Sequence, residues 1–187
     1  MNRTVGILLA GGLSRRFGSP KAFAPIGGEL FYERVYRALE AACEDVVIVS
    51  RAEFLALFPA GLDVITDLPE VAGKGPLAGI ASAMALRPAD RYLVLACDMP
   101  FVGEAESQAL VRLAPEASDV AAVRTSEERI PLFSVWNGNR AKELMGSVEN
   151  GNLGVFDFLG TLNTAWIDSD LLNEDRRVFR NINTNTD

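Results

Sequence analysis

The sequence predicts an α/β fold built on a mainly parallel central sheet. Three observations carry this. Short apolar, β-rich runs alternate with segments of helical period along the whole chain, with no internal repeat, low-complexity tract or linker-like shift in composition. The most apolar run, Arg91–Cys97, is continuous rather than alternating, as a central strand buried on both faces would be. The 187 residues suit one domain, long enough to bury a core without disulfide or metal staples.

The elements follow in order. Val5–Ala10 is the first strand, and a Gly/Ser/Arg loop runs from it to Pro20. Leu30, Val35, Ala38, Leu39 and Ala42 share one face of a helix. Asp45–Ser50 is a second strand, Glu53–Phe58 a short helix closed by Pro59, and Asp63–Thr66 a third strand. A Gly- and Pro-rich loop spans Asp67–Pro76. Leu77–Leu86 is a helix of small residues stopped by Pro88. After Arg91–Cys97 come a helix over Glu104–Leu113 and strands over Asp119–Arg124 and Leu132–Trp136. Arg140–Met145 and Val155–Leu159 are helical, and Thr164–Ile167 is a last short strand. Part of the polar C-terminus, Phe179–Thr184, is expected to be ordered.

Composition narrows the function. Hydrophobic residues make up 49% of the chain and charged residues 23%, the profile of a soluble globular protein. The longest apolar stretches are strand-length, far short of the ~20 residues of a membrane span. Met1–Thr4 leads straight into a strand pattern without a signal-peptide core, so a cytoplasmic protein with no membrane partner is expected. Cys43 and Cys97 sit in apolar runs and read as small buried hydrophobes. There is no histidine, so any acid, base or ligand is a carboxylate, a Lys, a Tyr or a bound water. The net charge of −7 argues against a nucleic-acid partner. A polyphosphate ligand would then need a local basic cluster and a divalent cation.

Ligands of such sheets bind beyond the carboxyl ends of the strands, so the loops after the first, third and fourth apolar strands should share one cleft. The first of these, from Leu9-Ala10-Gly11-Gly12 to Pro20-Lys21, supplies the basic cluster. Its paired glycines let backbone N–H groups approach an anion, and Arg15, Arg16 and Lys21 add charged donors. The spacing fits neither the dinucleotide fingerprint G-x-G-x-x-G nor the P-loop. A Gly-Gly after a strand can be a simple turn, but the full string points to phosphate.

With Ser14, Arg16, Gly18 and Lys21, this loop resembles the signature of nucleotidyltransferases that activate phospho-substrates with an NTP. The resemblance implies that the loop wraps the triphosphate and that Lys21 contacts phosphate. Asp67-Leu68-Pro69 followed by Gly75-Pro76-Leu77-Ala78-Gly79-Ile80 resembles a pattern of the molybdenum cofactor guanylyltransferases. Gly75-Pro76 would turn tightly into a helix packed against nucleotide, with Gly79 leaving room for a purine or ribose. Helix capping and small-residue packing would use the same residues without a ligand. Asp67 is implied to contact the nucleotide, while Lys74 carries no assigned role.

Ala96-Cys97-Asp98-Met99-Pro100 ends the most apolar strand. A carboxylate there faces the cleft, where desolvation is costly unless a cation pairs with it. Mg²⁺ needs one or two carboxylates plus phosphate oxygens and waters, so Asp98 alone suffices. Capping of the next helix is the other use of an Asp here, but Pro100 and Glu104 make it a poor cap. The resemblance agrees, since the superfamily's magnesium aspartate lies here, followed by Pro.

Asn181-Ile182-Asn183-Thr184 resembles the family's closing N-x-N-T. Asn181 and Asn183 offer donors and acceptors suited to a pterin or phosphate, or the tail simply caps the sheet. Ile130-Pro131-Leu132-Phe133 resembles the family's strand opening, with Arg129 beside it as a solvated charge or a phosphate contact. Two places depart from the pattern. Ser50 stands where many relatives carry an amide, and Asn150–Gly154 where relatives carry an arginine-containing segment.

The resemblance implies a Rossmann-like, three-layer α/β/α fold of the nucleotide-diphospho-sugar transferase type. It implies one nucleotidyltransferase domain over residues 1–187, with a nucleotide-binding half at about 1–100 and an acceptor-binding half at about 101–187. Leu9, Ala10, Gly11, Gly12, Lys21, Ser50, Asp67, Gly75, Gly79 and Asp98 would bind nucleotide. Arg16, Lys21 and Asp98 would be catalytic, Asp98 would hold Mg²⁺, and Asn181 and Asn183 would meet the acceptor. The implied reaction transfers GMP from GTP to molybdopterin, with transient contacts to other molybdenum-cofactor proteins. CTP on molybdopterin, an NTP on a sugar or alditol phosphate, or a module that binds GTP without turnover are the alternatives.

Overall fold

The computed structural model describes residues 3–12 and 20–183. Its strands are β1 Thr4–Leu9, β2 Pro25–Ile26, β3 Glu29–Leu30, β4 Asp45–Val49, β5 Asp63–Ile65, β6 Arg91–Ala96, β7 Val120–Arg124, β8 Arg129–Asn137 and β9 Thr164–Asp168. Seven of them form one sheet in the order β5-β4-β1-β6-β8-β7-β9. Only β8 runs against its neighbours; β1, β4, β5 and β6 pair in parallel, as do β7 and β9.

Strand periodicity builds the layers. Along β6, Leu93 and Leu95 enter one core while Tyr92 and Val94 enter the other, and β4 divides Val46 and Ile48 from Val47 and Val49 in the same way. The first core is closed by the helices α1 Phe31–Glu40 and α3 Glu104–Leu113, through Val35, Ala38, Leu39 and Leu110. The second is closed by α2 Pro76–Leu86, α4 Ala141–Glu149 and α5 Val155–Gly160, through Leu77, Ile80, Leu144, Val148 and Phe158. The result is the expected three-layer α/β/α architecture with a mainly parallel sheet. No helix among the described residues is long and apolar enough to cross a membrane.

Three local expectations change. Glu53–Phe58 forms a 3₁₀ turn over Ala52–Leu57 instead of an α-helix, as befits a segment too short to propagate one. Pro25–Leu30 holds an unexpected hairpin, β2–β3, closed by Gly27 and Gly28 at φ 57° and 88°. Two consecutive positive φ angles make a primed turn that glycine adopts without steric cost. β8 extends beyond Leu132–Trp136 in both directions, and it accommodates Pro131 where the β7–β8 register shifts between Ala122 and Val123.

Both cysteines are unpaired. Burial pushes the Cys43 and Cys97 thiols up to about 12, which makes them inert packing groups.

Candidate active site

The site is built at the carboxyl edge of the sheet, where four parallel strands end level with one another. Leu9 pairs with both Val49 and Ala96, and Val49 pairs with Ile65. The ladder continues one step further: Ala10 N–H donates to the Val49 carbonyl, Ser50 N–H to Ile65, and Cys97 N–H to Leu9. Ala10-Gly11-Gly12, Ser50, Asp67 and Asp98 therefore leave the sheet side by side. Gly11 lies against Ser50, whose Cα is 3.9 Å from where a Cβ would stand.

Lys21 opens a 3₁₀ turn over Lys21–Phe23, preceded by Pro20. That turn aims its side chain across the cleft. Its Nζ lies 3.6 Å from Asp98 Oδ2 and donates to Asn183 Oδ1 at 3.2 Å. The two side chains of the ion pair are only 14% and 27% exposed, so solvent screens them weakly. Burial pushes the Asp98 carboxyl above its ordinary value, and the Lys21 charge works against that rise. Asp98 does not cap the next helix. α3 begins at Glu104, and Glu106 accepts the Gly103 N–H at 2.8 Å.

The C-terminal tail reaches the same place. Ile182 N–H donates to the Asp98 carbonyl at 2.8 Å, and its side chain is buried with Ala24 and Phe31. This anchor sets Asn183 beside Lys21, while Asn181 stays exposed. A single apolar residue between two polar ones was the sequence signal for such an anchor.

Asp67 shapes the loop that leads to α2. Its Oδ2 accepts the Gly73 N–H at 3.0 Å, and Ser82 Oγ of α2 accepts the following Leu68 N–H at 2.8 Å. Gly75 enters the helix at φ 84°, a conformation that favours glycine, with Pro76 in the first turn. Gly79 has a packing role that the sequence alone does not display. It is buried, and an added Cβ would meet Leu9 Cδ2 at 3.1 Å and Val49 Cγ1 at 3.2 Å. The space at Gly79 is thus filled by strand side chains, and its glycine serves close packing of α2 on the sheet.

The Ser50 hydroxyl is buried and has no hydrogen-bond partner among the described residues. Arg16 lies outside the described residues, as do Ser14, Arg15, Gly18 and Thr184. No group of three or more potential metal ligands gathers among the described residues. One carboxylate beside a lysine ammonium suits a cation that keeps water and phosphate as most of its shell. Two cavities of about 400 and 500 Å³ lie elsewhere, at the amino ends of the strands around Arg91 and Arg3.

Residues 6–163 match the family model described as MobA-like NTP transferase domain. The chain belongs to that family. It is a nucleotidyltransferase. Proteins named "Probable molybdenum cofactor guanylyltransferase" from Geobacillus sp. and Bacillus subtilis are 33% and 34% identical to it, over 98% of this chain in each case and 95% and 92% of theirs. The crystal structure of molybdopterin-guanine dinucleotide biosynthesis protein A from Archaeoglobus fulgidus superposes with a TM-score of 0.80 at 25% identity, covering 97% of this chain and 93% of the other. The MobA-like fold and the carboxyl-edge position of Lys21 and Asp98 thus occur together in one chain.

Proposed function

We propose that this MobA-like transferase moves GMP from GTP to the terminal phosphate of molybdopterin, forming the guanine dinucleotide and pyrophosphate. One observation carries the placement of the chemistry. Lys21, Asp98 and Asn183, far apart in sequence, meet within hydrogen-bond or ion-pair distance where four strands end. The names of the relatives supply the substrates.

A phosphate monoester oxygen of the acceptor attacks the α-phosphorus, and the bond from that phosphorus to the bridging oxygen of the β-phosphate breaks. Pyrophosphate leaves. The attacking dianion needs no general base, which accords with a chain that has no histidine. The work of the protein is in-line positioning and charge stabilisation. Ala10-Gly11-Gly12 and Lys21 hold the phosphates, and Asp67 fixes the loop bordering the nucleotide. Ser50 offers a buried hydroxyl, and Asn183 orients Lys21. Asp98 would hold Mg²⁺, which neutralises phosphate charge when bound. Residues up to about 100 form the nucleotide half of the domain, and the remainder forms the acceptor half.

Calorimetric titration of GTP, CTP and UTP, with and without Mg²⁺, tests the reading. Mg²⁺-dependent binding that favours GTP by about tenfold, or 1.4 kcal/mol, is expected. A preference for CTP or UTP would move the donor to another nucleotide and overturn the guanylyl assignment.

A further inference from the structure

Lys74 lies on the loop that leads into α2, one residue before Gly75. That loop is fixed locally, by Asp67 accepting the Gly73 N–H and by the Lys74 N–H donating to the Val71 carbonyl at 3.1 Å. The Lys74 side chain crosses to a different part of the molecule. Its Nζ donates to the carbonyls of Val148 and Glu149, each at 3.4 Å. These belong to the last turn of α4, where carbonyls lack intrahelical donors and the helix dipole concentrates negative charge.

The chain leaves α4 through a Schellman turn. Asn152 N–H donates to Ser147 and Gly151 N–H to Val148, both at 3.0 Å, with Gly151 at φ 86°. Neither of those bonds reaches the Glu149 carbonyl, and the Lys74 ammonium supplies the donor there. A cation at this end also complements the dipole. Beyond the turn, the segment carries two exposed apolar side chains, Leu153 and Phe156, at 42% and 53%. They offer contact surface to the organic body of a phosphate acceptor.

We propose that Lys74 is a positioning residue that pins the α4 exit, Asn150–Phe156, to the loop bordering the nucleotide, so that acceptor and nucleotide meet in register. Assigning that segment to the acceptor rests on the guanylyltransferase reading above. Among the described residues the ammonium makes the side-chain hydrogen bonds between the two segments, and losing it leaves each loop with its own local bonds and only the apolar packing beneath them in common.

Two measurements on Lys74→Ala and Lys74→Arg test this. Amide hydrogen exchange, on the protein without substrates, should be roughly tenfold faster over residues 150–154 in Lys74→Ala and restored by Lys74→Arg. Steady-state kinetics should show the KM for acceptor raised about tenfold in Lys74→Ala, the cost of one charge-assisted contact. The KM for GTP and kcat should stay within about twofold. Unchanged exchange in the folded Lys74→Ala variant would overturn the proposal. So would an equal rise in both KM values, which would make Lys74 a nucleotide contact. A wild-type protein that does not turn over GTP with molybdopterin would count against the guanylyltransferase reading alone, and the exchange result would then decide the case of Lys74.

Discussion

The Lys21 ammonium stands 3.6 Å from the Asp98 carboxylate and donates to the Asn183 side chain at 3.2 Å. One cation thus joins the loop after β1, the loop after β6 and the C-terminal tail. The carboxylate is partly desolvated and offset by that charge, so both groups are held in place before any phosphate arrives. Such preorganisation is what charge-stabilising catalysis requires.

Replacing Lys21 by Ala should therefore lower kcat by ~10²–10³, the scale of one lost transition-state contact. Single-turnover measurements at saturating GTP check this. A loss smaller than about tenfold, in a folded variant, would show that Lys21 is not part of the reacting geometry.

The tail is held by packing before it serves the site. Ile182 is buried with Ala24 and Phe31 and donates its N–H to Asp98. Ile182→Ala should cost ~2–4 kcal/mol in urea denaturation, because the cavity between those side chains cannot collapse fully. Asn183→Ala should leave stability nearly unchanged, since its side chain is exposed to solvent on a terminal segment and its role is toward Lys21. Equal destabilisation by the two changes would contradict this division of labour.

Much of this was legible in the sequence, and the reasons differ from place to place. The strands of the parallel half were readable because Arg91–Cys97 and Val5–Ala10 are apolar without interruption, which burial on both faces demands. The convergence of Gly11, Asp67 and Asp98 was readable because strand topology fixes which loops share an edge. The hairpin at Gly27-Gly28 leaves only its glycine pair as a turn signal, since two-residue strands carry no periodicity. Gly79 shows the opposite limit. A small residue on a helix states that something comes close, and only the structure shows that Leu9 and Val49 do. The reach of Lys74 to α4 left no sequence trace either, because a long side chain's partner depends on tertiary packing.

Ser50 separates stability from affinity. Its hydroxyl is buried beside Gly11 without a partner among the described residues, so it costs the protein a desolvated polar group. Ser50→Ala should leave thermal stability equal to or higher than wild type, by up to ~1 kcal/mol. The same change should weaken GTP binding several-fold by calorimetry. A variant less stable than wild type would show that the hydroxyl serves the fold instead.

The most direct test follows pyrophosphate release from GTP, molybdopterin and Mg²⁺ by the wild-type protein and by Asp98→Asn, which keeps the shape of the side chain but removes its charge. The account predicts acceptor-dependent release by the wild type and a loss of about 10³-fold or more in the variant, with the fold intact by circular dichroism. Release by Asp98→Asn at near wild-type rate would contradict the placement of the chemistry at the ends of β1 and β6.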